Sequence, residues 1–295
     1  MLRRDTKPVL IVPGYGMNSF IFGYHPRGNS FEAALVAAGL EVWLVDLRAQ
    51  GESKRTGGTD DFGLADLALT DLKAAVDGVL ERTETGAESV SIIGASLGAT
   101  LMFAYAALAQ NARAGALVSL GGPVRWVKIH PLLRVAFASP TLAGLVRLRG
   151  TRALAKAVLP HVLRHTPWLL SIYINPEHID VANIDELVKT VEDPNRFVNR
   201  QIAEWVGRRD LVLRGQNLSH AITTIDVPLL CVVANADGIV PRETAEFSYT
   251  HVASSDKSLL EVGTAEMRLA HADMFISEHA QDVVFAPIRD WLLSR

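Results

Sequence analysis

Short apolar runs rich in β-branched residues recur along the chain at 9–12, 42–45, 90–93, 116–120, 229–233 and 259–262. None alternates apolar with polar, which predicts strands buried on both faces, as in a parallel sheet covered by helices. The stretches between most of them have helical spacing. Ser30 reads as the N-cap of a helix reaching Ala38, with Gly39 in the left-handed closing position. Over 64–82, Ala68, Leu72, Ala75, Val76 and Val79 share one face while Asp66, Asp71, Lys73 and Asp77 fall elsewhere, predicting an amphipathic helix. A helix over 96–110 is richer in alanine and leucine, which predicts burial on more than one side, and 280–293 reads as a closing amphipathic helix.

From 123 to 224 the strand rhythm stops. A mostly helical stretch replaces it, punctuated by Pro131, Pro140, Pro160, Pro167, Pro176 and Pro194. The expected organisation is therefore a core built from 1–122 and 225–295 with a helical cap inserted at 123–224.

Composition narrows the function classes. With 295 residues, 49% of them hydrophobic, the chain can bury one large core. A net charge of -3 gives no general affinity for nucleic acid. One cysteine, Cys231, excludes an intrachain disulfide framework and fits a cytoplasmic location. Met1-Leu2-Arg3-Arg4 carries paired arginines, yet the apolar run after it is too short for a signal-peptide core. No run reaches the roughly 18 uninterrupted apolar residues of a membrane span, so membrane contact, where it occurs, is expected to be peripheral.

The candidate chemistry begins at Gly94-Ala95-Ser96-Leu97-Gly98, where the third run meets a helix. A sharp strand-to-helix turn projects a serine hydroxyl into the open, and small residues two positions either side let the backbone close. The first helical N–H, of Leu97, then points where negative charge would develop on a substrate oxygen. A second donor is expected from Pro13-Gly14-Tyr15-Gly16 after the first run, at the N–H of Tyr15. A serine nucleophile needs a base, and the base needs an acid that fixes its tautomer. His271 and Asp237 fit: Asp237 just follows the run 229–233, at the same carboxyl edge of the sheet as Ser96, and His271 follows the last run. Asp46, after the second run, is expected to order the loop beside the site.

These segments resemble the α/β-hydrolase fold, and more specifically the polyhydroxyalkanoate synthase and acid lipase branches. The resemblance is carried by Val9-Leu10-Ile11-Val12-Pro13-Gly14, by 39–48, by the serine elbow, by 227–241, and by the His-x-Asp pattern of His271 and Asp273. It implies a sheet of about six mostly parallel strands, a Ser-His-Asp acyl-enzyme mechanism on a hydrophobic ester, and no cofactor or metal. Two departures stand out. The polymer synthases carry cysteine in the elbow where this chain has Ser96, which favours hydrolysis over polymer formation. The family's usual first strand hairpin is also missing, so a narrower sheet is expected.

Each assignment has a plainer competitor. Ser96 could cap a helix, Asp237 could form a turn before Gly238, and His271 could be a surface histidine with His279 as rival base. His161 and His165 share a helix face but lack the acidic neighbour of a zinc protease. Trp126, Trp168 and Trp205 read as cap packing. An acyltransferase and an inactive binding module on the same fold are the alternative functions. The cap has one further oddity. From 123 to 165 it carries Arg125, Lys128, Arg134, Arg147, Arg149, Arg152, Lys156 and Arg164 and no aspartate or glutamate, among apolar neighbours that include Val146. That pattern fits either a solvated basic face or a surface for anionic lipid or an anionic substrate group. Oligomeric state is not legible.

Overall fold

The computed structural model describes every residue except 1, 4, 57–59, 146–147 and 179–182, and the side chain of Leu169. Met1 and Arg4 of the expected N-terminal segment, and Val146 and Arg147 of the expected basic surface, therefore lie outside the described residues. The strands are β1 (Val9–Val12), β2 (Val42–Leu44), β3 (Val90–Ala95), β4 (Ala114–Leu120), β5 (Val212–Leu213), β6 (Gln216–Asn217), β7 (Leu229–Ala234) and β8 (Lys257–Val262). Six of them form one sheet in the order β2-β1-β3-β4-β7-β8, and every pair within it is parallel.

Burial explains the unbroken apolar runs. On β1, Leu10 and Val12 belong to one core cluster while Val9 and Ile11 belong to the other, on the opposite face of the sheet. The first cluster is closed by the Leu97–Leu108 helix, nine of whose residues are buried, from Leu97 through Tyr105. The 64–82 segment packs beside it. The second is closed by the Phe31–Ala37 helix and the C-terminal helix Ala286–Leu293. The Ser30 hydroxyl accepts from Ala33 N at the start of Phe31–Ala37, and Gly39 past its end has φ +90°. Cys231 is buried inside β7, where its thiol meets Ser248 Oγ at 3.3 Å and burial pushes its pKa up to about 12.

Between β4 and β7 the chain departs from expectation in two places. Pro160 does not end a helix: Thr151–His165 runs straight through it. Pro160 is exposed, so water can reach the carbonyl that loses its N–H partner. The stretch also holds a small antiparallel hairpin, β5 with β6, turned by Arg214 and Gly215 at φ +49° and +80°. Two-residue strands are too short to show a period, and arginine is not the residue such a turn advertises. Elsewhere, 64–82 and the closing segment each contain a turn of π-helix, at Leu67–Asp71 and Gln281–Phe285. Among the described residues no helix is long and apolar enough to cross a membrane.

Candidate active site

Ser96 sits at the end of β3 with φ +53° and ψ −120°, a conformation costly for any side-chain-bearing residue. Its N–H donates to Leu120 O at 2.8 Å, which fastens it to β4. A Cβ on Gly94 would come within 2.4 Å of Ala99 Cα, and one on Gly98 within 2.4 Å of Val12 O, so both neighbours of the turn must be glycine for the helix to lie this close. The Ser96 hydroxyl makes no capping hydrogen bond to the helix that follows, which removes the N-cap explanation for it.

His271 and Asp237 arrive from the loops after β8 and β7. His271 Nδ1 and Asp237 Oδ2 are 2.6 Å apart, and both side chains are buried. The other carboxylate oxygen, Oδ1, accepts the N–H groups of Ile239 at 2.9 Å and Val240 at 2.8 Å. An aspartate held this way presents a lone pair to Nδ1, so the imidazole carries its proton there and leaves Nε2 free to accept one. A Cβ on Gly121, at φ +56°, would lie 3.0 Å from Asp237 Oδ2 and 3.1 Å from His271 Cε1, so the pair rests on bare backbone. His271 and Ser96 line one small apolar cavity of about 10 Å³ with Met17, Ile21, Phe22, Ala95, Tyr173, Ala272 and Phe275. His279, the rival base, is not part of that wall. It lies beside His178, with ring centroids 5.0 Å apart, and those two with Glu278 have donor atoms within 4.8 Å of one another.

Gly14 brings the β1 loop against the elbow: a Cβ there would lie 3.1 Å from Ser96 Cβ. The next residue, Tyr15, is anchored by its hydroxyl, which donates to Asn199 Oδ1 at 2.6 Å, and burial raises its pKa. Tyr15 and Leu97 share the lining of a second cavity of about 40 Å³. That cavity adjoins a much larger charged cleft of about 840 Å³, walled by Arg48, Lys54, Arg149, Arg196 and several aspartates. Ser96, His271 and Asp237 do not line that cleft.

Asp46 ties two loops together, accepting Ser19 N at 2.8 Å and Glu52 N at 3.1 Å. Asp273 is fully buried and accepts from Ala270 N at 2.7 Å and Asn175 N at 3.0 Å. Burial pushes its pKa up to about 6 against those donors, and the neighbouring Asp237 charge adds to the rise.

Several residues here carry no local sequence signal. Glu192, buried, accepts from Asn18 Nδ2 at 2.7 Å, Gly51 N at 3.0 Å and Arg152 Nη2 at 3.2 Å, and pairs with Lys54. Its own N–H donates to Gly16 O at 2.8 Å, Asn18 N donates to Thr190 O at 3.0 Å, and Met17 and Val191 form an antiparallel bridge. Residues 190–192 are thus fastened directly to the loop that carries Tyr15. Two of the three tryptophans behave as expected: Trp126 and Trp205 pack together at 5.4 Å, both buried. Trp168 does not, being 70% exposed.

A parallel sheet of this order, with a strained serine ending a central strand and an aspartate-held histidine at the same edge, defines the α/β-hydrolase class. The family model described as serine aminopeptidase, S33 matches residues 6–265, and the chain belongs to that family. A comparison with curated proteins finds no match. Among solved structures, a soluble variant of monoglyceride lipase from Saccharomyces cerevisiae, in complex with a substrate analog, is 16% identical with TM-score 0.66, covering 98% of this chain and 87% of that one. A thermophilic esterase from Thermogutta terrifontis is 17% identical with TM-score 0.63, covering 98% and 90%. A monoacylglycerol lipase from Paleococcus ferrophilus is 20% identical with TM-score 0.56, covering 98% and 96%. At these identities the likeness is one of fold.

Proposed function

We propose that the protein hydrolyses carboxylic esters with a hydrophobic acyl part, through an acyl-enzyme on Ser96. The observation that carries this reading is the cavity shared by an uncapped, strained Ser96 and a His271 whose Nδ1 is committed to Asp237. Ser96 Oγ attacks the ester carbonyl while His271 Nε2 takes its proton. The N–H groups of Leu97 and Tyr15 receive the oxyanion. His271 then protonates the departing alcohol, and water, deprotonated by the same imidazole, releases the acid. Asp237 keeps its negative charge throughout and steadies the imidazolium.

The substrate class follows from the walls. Apart from Ser96 and His271 they are apolar, with the Tyr173 ring among them. Among the described residues no carboxylate lines the hollow, so its walls offer no anionic partner to a peptide's α-ammonium group. An acyl chain suits it better than an amino acid. As it stands the hollow has room for about one water molecule. Met17, Tyr173 or Phe275 must therefore swing aside to admit substrate, and Tyr173 belongs to residues 123–224, to which we assign the role of a cap.

The test is a panel of p-nitrophenyl esters of graded acyl length on wild type and Ser96→Ala. Turnover should fall at least about a thousandfold in the variant, and a fluorophosphonate probe should label only the wild type. Free acid released in step with the phenol marks hydrolysis, whereas acid appearing only in part, with the balance on an added alcohol, marks acyl transfer. An undiminished rate in Ser96→Ala removes the mechanism.

A further inference from the structure

We propose that the outer face of the cap, between residues 127 and 168, is a docking surface for an anionic lipid bilayer. Three successive helices there, Pro131–Ala136, Pro140–Leu145 and Thr151–His165, contain no buried residue among those described. Their apolar side chains are nonetheless abundant. Nine of the eleven large hydrophobic side chains that stand exposed among the described residues lie in this stretch, including Val135 at 77%, Leu145 at 70% and Leu142 at 64% exposure.

The helices are apolar on two sides. In Pro131–Ala136, Leu133 packs against the core below, while Leu132 and Val135 point away from it. In Pro140–Leu145, Gly144 lies against Arg200, with a Cβ there only 3.2 Å from Arg200 Cβ, and Leu142 and Leu145 stand outward. Large apolar side chains left exposed in this number on successive helices mark an interaction site.

Charge identifies what covers it. The stretch 123–165 holds eight lysines and arginines and no acidic residue. Four of them are answered from outside the stretch: Arg125 by Asp210, Lys128 by Glu243, Arg152 by Glu192 and Lys156 by Asp185. Arg134 and Arg164, both exposed, form no ion pair among the described residues. A second copy of the chain docking by two-fold symmetry would set this positive face against itself. An anionic bilayer supplies both the apolar layer and the opposite charge, and each cation near such a surface adds to the attraction. Since no described helix can span a membrane, the contact is peripheral.

The experiment is flotation of the full chain with phosphatidylcholine vesicles, pure or carrying about 30% phosphatidylglycerol, over a salt series. The expected result is at least about tenfold stronger partitioning onto the anionic vesicles, weakened by salt. Leu142→Ser combined with Leu145→Ser, and Arg134→Glu combined with Arg164→Glu, should each lower binding by about tenfold or more while turnover of a short soluble ester is unchanged. That retained turnover shows the variants fold and separates this test from the assignment of Ser96. The proposal is overturned if wild type ignores anionic vesicles, if it binds pure phosphatidylcholine equally well, or if both double variants bind as wild type does. A concentration-dependent dimer that the leucine changes dissolve, without vesicle binding, overturns it in favour of self-association.

Discussion

The carboxyl edge of the sheet and the outer layer of the cap are built on opposite plans. At the sheet edge the backbone N–H groups of Ser96 and Asp237 are hydrogen-bonded, and glycines occur where a single carbon would collide. In the cap's outer layer three helices pass without burying a side chain. The same apolar content thus has two outcomes: at the sheet edge it packs around Ser96 and His271, and in the outer layer it stays uncovered. The difference teaches that burial, not hydrophobicity, separates the region to which we assign the chemistry from the region we propose as a docking surface.

The contrast is tested hardest at the sheet edge. Asp237→Asn keeps an oxygen for the Ile239 and Val240 N–H groups but turns an amide N–H₂ toward His271 Nδ1, forcing the wrong tautomer. We expect kcat on a p-nitrophenyl ester to fall by about 10⁴-fold with the melting temperature little changed. A loss below about tenfold means that His271 is not oriented by this aspartate. Next comes the energetic comparison of two apolar positions. Ile92→Ala, in the middle of β3 and fully buried, should cost about 2–5 kcal/mol in urea unfolding, whereas Leu142→Ala should stay within about 0.5 kcal/mol. Equal costs would mean the two regions are packed alike.

The smallest expected effect concerns Asp273 and has a definite sign. Its pKa in the folded protein, about 6, lies above the ordinary value of 3.8, so the folded state holds a proton that the unfolded chain gives up. Between about pH 4 and 6 the folded state binds more protons, and this group makes stability fall as pH rises. The stability it contributes at low pH is lost through pH 6 and amounts to at most about 3 kcal/mol. The gap between the unfolding free energies of wild type and Asp273→Asn should change by up to that much from pH 4 to 7, and parallel curves would show that Asp273 does not titrate there.

What could be read in the sequence was what repeats or sits beside its own cause. The six main strands appear as apolar runs, most plainly β1, β3 and β7, which are buried throughout, and their limits shift by only a residue or two, as at β3 and β8. The elbow is legible because Gly94 and Gly98 bracket Ser96 within five residues. What joins distant segments left no trace. Asn18 and Glu192 are separated by 174 positions, and Asn175 meets Asp273 across 98. Nothing local marks Glu192 as different from any charged cap residue, because its burial is decided by where three loops and a helix converge. Pro160 misled for a physical reason: proline ends helices that cannot lose a hydrogen bond, and an exposed one can.

The bridge between Met17 and Val191 has a consequence for anyone who would redesign substrate preference by exchanging caps. Residues 190–192 run as a strap over the Tyr15 loop, so that segment belongs mechanically to the hydrolase body even though the chain counts it within the insertion. A chimera spliced at 123 and 224 would replace one of the supports of the proposed oxyanion donor along with the proposed cap. Junctions placed so that 188–193 stay native would let the roof vary and leave the donor where it is.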